Sequence, residues 1–152
     1  MLSSPVLKRL LRAPLSVVLA LLLADAASAQ TMVRLHTTQG PVDFRLLDTE
    51  VPRTVANFLT YVRSGAYADT FIHRVVTGFV VQGGGFAWPA GGYSGHIPTN
   101  PPVANEFSTA RSNARGTVAM AKVGGNPDSA TSEWFVNLAN NAGVPPNGLD
   151  FQ

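Results

Sequence analysis

Phe71-Ile72-His73-Arg74-Val75-Val76-Thr77-Gly78-Phe79-Val80-Val81-Gln82-Gly83-Gly84-Gly85-Phe86 is the stretch on which the fold turns. Apolar residues crowd both sides of Thr77-Gly78. Two short strands, Thr70 to Arg74 and Phe79 to Gln82, are therefore expected with a turn between them. An arginine inside so apolar a strand is not an ordinary surface residue. The three glycines read as a tight turn leaving the second strand. They do not make a phosphate loop, because no Gly-Lys-Ser/Thr follows and no Gly-x-Gly-x-x-Gly opens a helix.

Outward from this stretch the punctuation is regular. Upstream, Met32-Val33-Arg34-Leu35-His36 and Val42-Asp43-Phe44-Arg45-Leu46 alternate around Gln39-Gly40-Pro41, which predicts a hairpin with one buried face. Val55, Phe58, Leu59 and Val62 recur at helical spacing, with Pro52 at the start and Gly65 just past the end. Downstream, Gly83 to Pro102 is rich in Gly and Pro and reads as a long irregular loop. Two more strands are expected at Gly116 to Ala121 and Glu133 to Leu138, separated by a polar loop, Gly124 to Ser132. Short strands with turn signals and one early helix argue for a small barrel or sandwich.

The 152 residues are 45% hydrophobic and 13% charged, which suits one domain plus an unusually apolar segment. That segment is N-terminal. Lys8, Arg9 and Arg12 precede an apolar run from Ala13 to Ala24, and Ala27-Ser28-Ala29 offers small residues for cleavage before Gln30. Residues 1–29 are expected to be a secretory signal peptide. The run falls short of the roughly 20 residues that span a bilayer, so stable membrane insertion after cleavage is not expected. Removing the segment takes three basic residues and one acidic residue from 11 and 9, leaving eight of each. A formally neutral remainder gives no reason to expect nucleic acid as a partner. The absence of Cys is compatible with an oxidising compartment and excludes thiol nucleophiles, disulfide redox chemistry and Cys-based zinc sites.

The Phe-x-His-Arg strand, the Gly-Phe turn and Gln82-Gly83-Gly84 resemble the signature of cyclophilins, a family of peptidyl-prolyl cis-trans isomerases. The likeness continues through Pro101-Pro102-Val103-Ala104-Asn105-Glu106-Phe107 and Arg115-Gly116-Thr117-Val118-Ala119-Met120-Ala121. It reaches Asp128-Ser129-Ala130-Thr131-Ser132-Glu133-Trp134-Phe135-Val136-Asn137 and Leu149-Asp150, with the Ala121-to-Phe135 spacing of bacterial members. The resemblance implies a mainly β, cyclophilin-like closed β-barrel with flanking helices over residues 30–152. The family continues past Leu149-Asp150 with further strands and a C-terminal helix, so this domain is expected to be C-terminally truncated. With the signal peptide, the resemblance implies a periplasmic isomerase acting on proline-containing peptides and unfolded exported proteins.

The reaction explains the residue types. Amide resonance sets a rotation barrier of roughly 18–20 kcal/mol, and uncatalysed Xaa-Pro exchange takes about tens to hundreds of seconds. Millisecond exchange needs about five powers of ten, or about 7 kcal/mol. No cofactor, metal or nucleophile is required. In the twisted transition state the proline nitrogen becomes pyramidal, and a fixed guanidinium aimed at its lone pair binds that state better than either planar one. By resemblance the guanidinium is that of Arg74. The proline pocket is then Phe79, Phe135 and Leu149 with Val80. Gln82 is implied to bond the substrate backbone, and Ala121 and Lys122 line a groove for an extended peptide.

Three positions depart from the family. Val80 replaces the usual Met. Gly148 stands where vertebrate members carry Trp, so strong cyclosporin sensitivity is not expected. Glu133 replaces Gln, exchanging an amide for an acceptor-only anion, which is expected to weaken backbone binding there and favour basic peptides. The alternative from another class is a cyclophilin-like peptide-binding module or holdase with little isomerase activity. A hydrolase built on His73, Asp128 and Ser129 or Ser132 lacks a Gly-x-Ser-x-Gly elbow. His36, His73 and His96 lack metal-ligand spacing and read as structural or surface histidines.

Overall fold

A computed structural model describes residues 30–143 and 148–150. The expected signal peptide, residues 1–29, lies outside them. Strand β1 (Met32–Thr37) pairs antiparallel with β2 (Gly40–Arg45) across a two-residue connection, Thr38-Gln39. The turn falls earlier than the sequence suggests. Gly40 takes φ +114, and Pro41 enters β2 opposite His36, where an outer strand tolerates its missing N–H. Alternation buries Val33 and Phe44 and turns Arg34, Asp43 and Arg45 outward; Val42, on the Phe44 face but nearer the turn, is exposed.

Helix α1 (Pro52–Arg63) follows, with Pro at its start as expected. The residue before it, Val51, offers no side-chain cap. The Glu106 carboxylate, fifty residues on, accepts from the free amides of Arg53 (3.1 Å) and Thr54 (2.7 Å) instead. An anion at this end also complements the helix dipole. At the other end the Gly65 amide reaches the Val62 carbonyl and the Ala66 amide reaches that of Tyr61, with Gly65 at φ +72. That pattern is the Schellman stop that a glycine permits.

Strands β3 (Arg74–Val76), β4 (Val80–Gly83), β7 (Val118–Met120) and β8 (Trp134–Asn137) form one antiparallel sheet in the order β3-β4-β8-β7. The segment expected to be irregular contains a small ladder, β5 (Phe86–Ala87) against β6 (Gly95–His96). Two-residue strands are too short to leave a periodic signal, and Gly95 at φ +89 supplies the bend. The expected strand Thr70 to Arg74 is shared. Thr70 bridges Ala87 and the Phe71 amide bonds Phe86, whereas Arg74 begins β3.

The core joins Val33, Phe44 and Leu46 of the hairpin segment to Val55, Phe58 and Leu59 of α1 and to Met120, Ala130 and Trp134. The Trp134 ring meets Phe44 edge-on at 5.2 Å, and Phe44 meets Phe58 at 6.2 Å. The fold is mainly β with one α-helix among the described residues. Their strands lie in three separate sheets. The hairpin touches the four-stranded sheet through side chains without a continuous ladder, so the expected closed ring and second flanking helix are not seen among these residues.

The glycine run is a packing device rather than a simple turn. A Cβ on Gly83 would lie 2.9 Å from Ile72 and 3.1 Å from Trp134. On Gly84 it would lie 2.6 Å from the Trp134 indole nitrogen, and on Gly85 2.7 Å from a Glu133 oxygen. Only glycine lets the strand lie this close to β8 and the residue preceding it.

Candidate active site

Register builds the site. Arg74 faces Gln82, Gln82 faces Phe135, and Phe135 faces Ala119 across four successive strands. Side chains alternate along a strand. These four therefore share one face, while Trp134, Met120 and Val118 point to the core on the other. The turn at Thr77-Gly78, with Gly78 at φ +71, brings Phe79 back beside Arg74. The guanidinium carbon stands 5.7 Å over the Phe79 ring centre, within cation–π range. Nη1 of Arg74 donates to Oε1 of Gln82 at 3.3 Å.

Arg74, Phe79, Val80, Gln82, Ala121, Lys122, Phe135 and Leu149, all singled out from the sequence, line one groove of about 670 Å³. Val80 is only 2% exposed and contributes to its floor. Lys122 donates from Nζ to Oδ1 of Asn105 at 2.6 Å. Burial lowers its pKa, against the raising influence of Asp128.

Glu133 does not line this groove. It sits behind Gln82, with both oxygens engaged. Oε2 accepts from Nε2 of Gln82 at 2.6 Å and lies 3.3 Å from Nε2 of His73, while Oε1 lies 3.0 Å from Nε2 of His96. A carboxylate so occupied orients an amide rather than presenting free charge to a basic peptide. The two histidines read as unremarkable converge here, from segments 23 residues apart in number.

A buried polar network holds the pocket from beneath. Nδ2 of Asn137 donates to Asn113 (3.0 Å) and to the Thr117 hydroxyl (2.9 Å). Nδ2 of Asn141 donates to Oδ1 of Asn137 (2.8 Å) and to the Phe79 carbonyl (2.9 Å). The Leu149 amide donates to the Asn141 carbonyl, and the Leu149 carbonyl accepts from Nδ2 of Asn113. Phe79 and Leu149, which both line the groove, are thus both tied to Asn141. Nothing in the spacing of single asparagines announces this.

Asp150 closes the network. Its carboxylate accepts from the Ser112 hydroxyl (2.5 Å), the Asn113 amide (2.9 Å) and the Gly143 amide (2.8 Å). Burial pushes its pKa up, but the bonds from Ser112, Gly143 and Asn113 outweigh it and hold the group at about 2, below its ordinary 3.8. A depressed carboxylate stabilises the fold above its unfolded value, and that stability is lost as pH falls through the folded one. Urea midpoints should therefore drop as pH falls from 3.8 towards about 2. Asp150→Asn should lower the midpoint at neutral pH and remove most of that acid slope. An unchanged slope would mean that other carboxylates set it.

The wall facing the sheet, residues 103–113, has little regular structure but many anchors. Val103 bridges Ala130, the Asn105 amide donates to Asp128 (2.7 Å), and Glu106 caps α1. Arg111 donates to the Glu106 carbonyl at 2.8 Å. Burial pushes the Glu106 pKa up, and the amides of Thr54 and Arg53 bring it below the ordinary value.

Fold and groove together define a small β-rich protein that presents a fixed cation beside an aromatic pocket, with a sheet face open to an extended chain. Residues 32–148 match the family described as cyclophilin type peptidyl-prolyl cis-trans isomerase/CLD, and the chain belongs to that family. It is 44% identical over 128 residues to peptidyl-prolyl cis-trans isomerase A of Dickeya dadantii, covering 84% of this chain and 65% of that one. It is 42% identical over 110 residues to peptidyl-prolyl cis-trans isomerase B of Escherichia coli, covering 72% and 64%. The chain thus spans slightly less than two thirds of the length of these relatives. Among solved structures, a cyclophilin type isomerase of Cryptosporidium parvum superimposes with a TM-score of 0.62 at 25% identity, covering 78% of this chain and 72% of that one. The same protein crystallised in the presence of the dipeptide Ala-Pro gives a TM-score of 0.61 at 24% identity, with the same coverage.

Proposed function

We propose that this chain is a peptidyl-prolyl cis-trans isomerase in which Arg74 stabilises the twisted Xaa-Pro bond. The observation that carries the proposal is the Arg74 guanidinium, anchored to Gln82 and held over Phe79 at the rim of an apolar pocket. The proline ring sits among Phe79, Phe135 and Leu149, with Val80 beneath. Gln82, Ala121 and Lys122 bind the flanking backbone in a strand-like manner that reads little side-chain sequence. As the preceding carbonyl rotates, resonance is lost and the proline nitrogen gains a lone pair that the guanidinium meets. Rotation changes no covalent bond, so neither cofactor nor nucleophile has a role.

The substrates are proline-containing segments of unfolded exported proteins, and the site of action is the periplasm after cleavage before Gln30. The basic head, apolar run and Ala27-Ser28-Ala29 of the sequence support this. The three sheets belong to one cyclophilin barrel over residues 30–152, a reading supported by the core shared between the hairpin and the four-stranded sheet.

Proline-exchange NMR on a short Xaa-Pro peptide tests the activity. Catalytic amounts of the protein should bring exchange from tens of seconds to about milliseconds. Peptide binding by a folded protein without faster exchange would show a binding module instead.

A further inference from the structure

His96 has oxygen acceptors at both ring nitrogens. Nδ1 lies 2.9 Å from the Ile97 carbonyl and Nε2 lies 3.0 Å from Oε1 of Glu133. A neutral imidazole carries one N–H and satisfies one of the two; only the imidazolium satisfies both. The neighbouring His73 differs: its Nε2 faces Glu133, and its buried Nδ1 has no partner among the described residues.

The Glu133 side chain lies close against Gly85, where a Cβ would stand 2.7 Å from its Oε1. Its other oxygen takes the NH₂ end of the Gln82 amide, which leaves the carbonyl end for Arg74. Since a carboxylate only accepts, the amide cannot reverse without losing both bonds. The charge on His96 is therefore linked, through one carboxylate and one amide, to the orientation of the guanidinium.

We propose that protonated His96 is a positioning residue for the isomerase reaction, holding Glu133 so that Gln82 turns its carbonyl to Arg74, and that the reaction slows as His96 loses its proton. This rests on the isomerase reading above. The charged and titratable groups facing the pair are Glu133 itself and His73 across the same carboxylate, with Arg74 one amide further. The bond to the Ile97 carbonyl raises the His96 pKa above 6.5, burial opposes this, and Glu133 raises it further. The arrangement is thus complete below 6.5 and is lost as pH rises through the raised value.

The test is kcat/KM by exchange NMR from about pH 6 to about pH 9 for the protein, His96→Lys and His96→Gln. The protein should lose about two- to fivefold with rising pH, the scale of one half-exposed charged contact. His96→Lys keeps its cation throughout and should stay flat near the acid-limb rate, while His96→Gln should be flat and low. A purely structural His96 would not make the step depend on the charge at this position. A step that survives in His96→Lys, or no step in the protein, overturns the proposal.

A second measurement needs no turnover. The Gln82 side-chain amide resonances should titrate with the His96 ring, which should carry protons on both nitrogens in the acid form. Amide resonances indifferent to His96 overturn the proposal whatever the activity. If they follow His96 while exchange is never accelerated, the isomerase reading fails and the positioning relay stands.

Discussion

Replacing Arg74 by alanine is expected to lower kcat/KM for Xaa-Pro exchange about a hundred- to a thousandfold, the worth of one preorganised charge-stabilising donor. Peptide affinity should change far less. The pocket of Phe79, Phe135 and Leu149 is built from the sheet and the asparagine network, not from the guanidinium. Arg74 is exposed, and among the described residues its side-chain hydrogen bond is to Gln82 at 3.3 Å, so the fold should tolerate its loss. Exchange NMR for turnover and peptide shift titration for affinity separate the two. If affinity and turnover fell in proportion, Arg74 would bind planar and twisted forms equally, and its transition-state role would be wrong.

The second large effect is on stability. Trp134→Ala should destabilise the fold by about 3–5 kcal/mol, as for other buried Trp truncations. That is a large part of the about 5–15 kcal/mol available to a domain. The indole is 7% exposed, sits edge-on to Phe44, and supports the close approach of Gly83 and Gly84. Its removal opens a cavity at the junction of hairpin and sheet. Trp134→Phe should cost less, because the indole N–H has no partner among the described residues and its loss leaves nothing further unsatisfied. Urea unfolding of both variants checks this. A loss below about 1 kcal/mol for Trp134→Ala would show that the junction collapses onto the gap.

What was legible in the sequence was local or carried by motif. Pro52 and Gly65 bracket α1 because helix ends obey near-neighbour chemistry, and Arg74, Phe79, Gln82 and Phe135 stood out through the family pattern. What was not legible depends on residues far apart in the chain. Glu106 caps a helix that begins more than fifty residues earlier. His96 meets Glu133 across 37 residues. Reading Glu133 by itself suggested a free anion for basic peptides; its three neighbours show an internal acceptor. The glycine run suggested a turn because a sequence displays missing side chains without displaying the tryptophan that occupies their space. The ladder of β5 and β6 fell below the length at which alternation can register.

The wall at residues 103–113 has one further consequence. Its shape is set by a helix end, an aspartate and an isolated bridge from Val103 to Ala130, so an arriving peptide meets a surface already stiffened before contact. Bending that wall outward would uncap α1 and loosen the Asn105–Asp128 bond together. The groove is thus a low-compliance cradle. Little of the binding free energy goes into reshaping it, and more is left to discriminate a twisted peptide bond from a flat one.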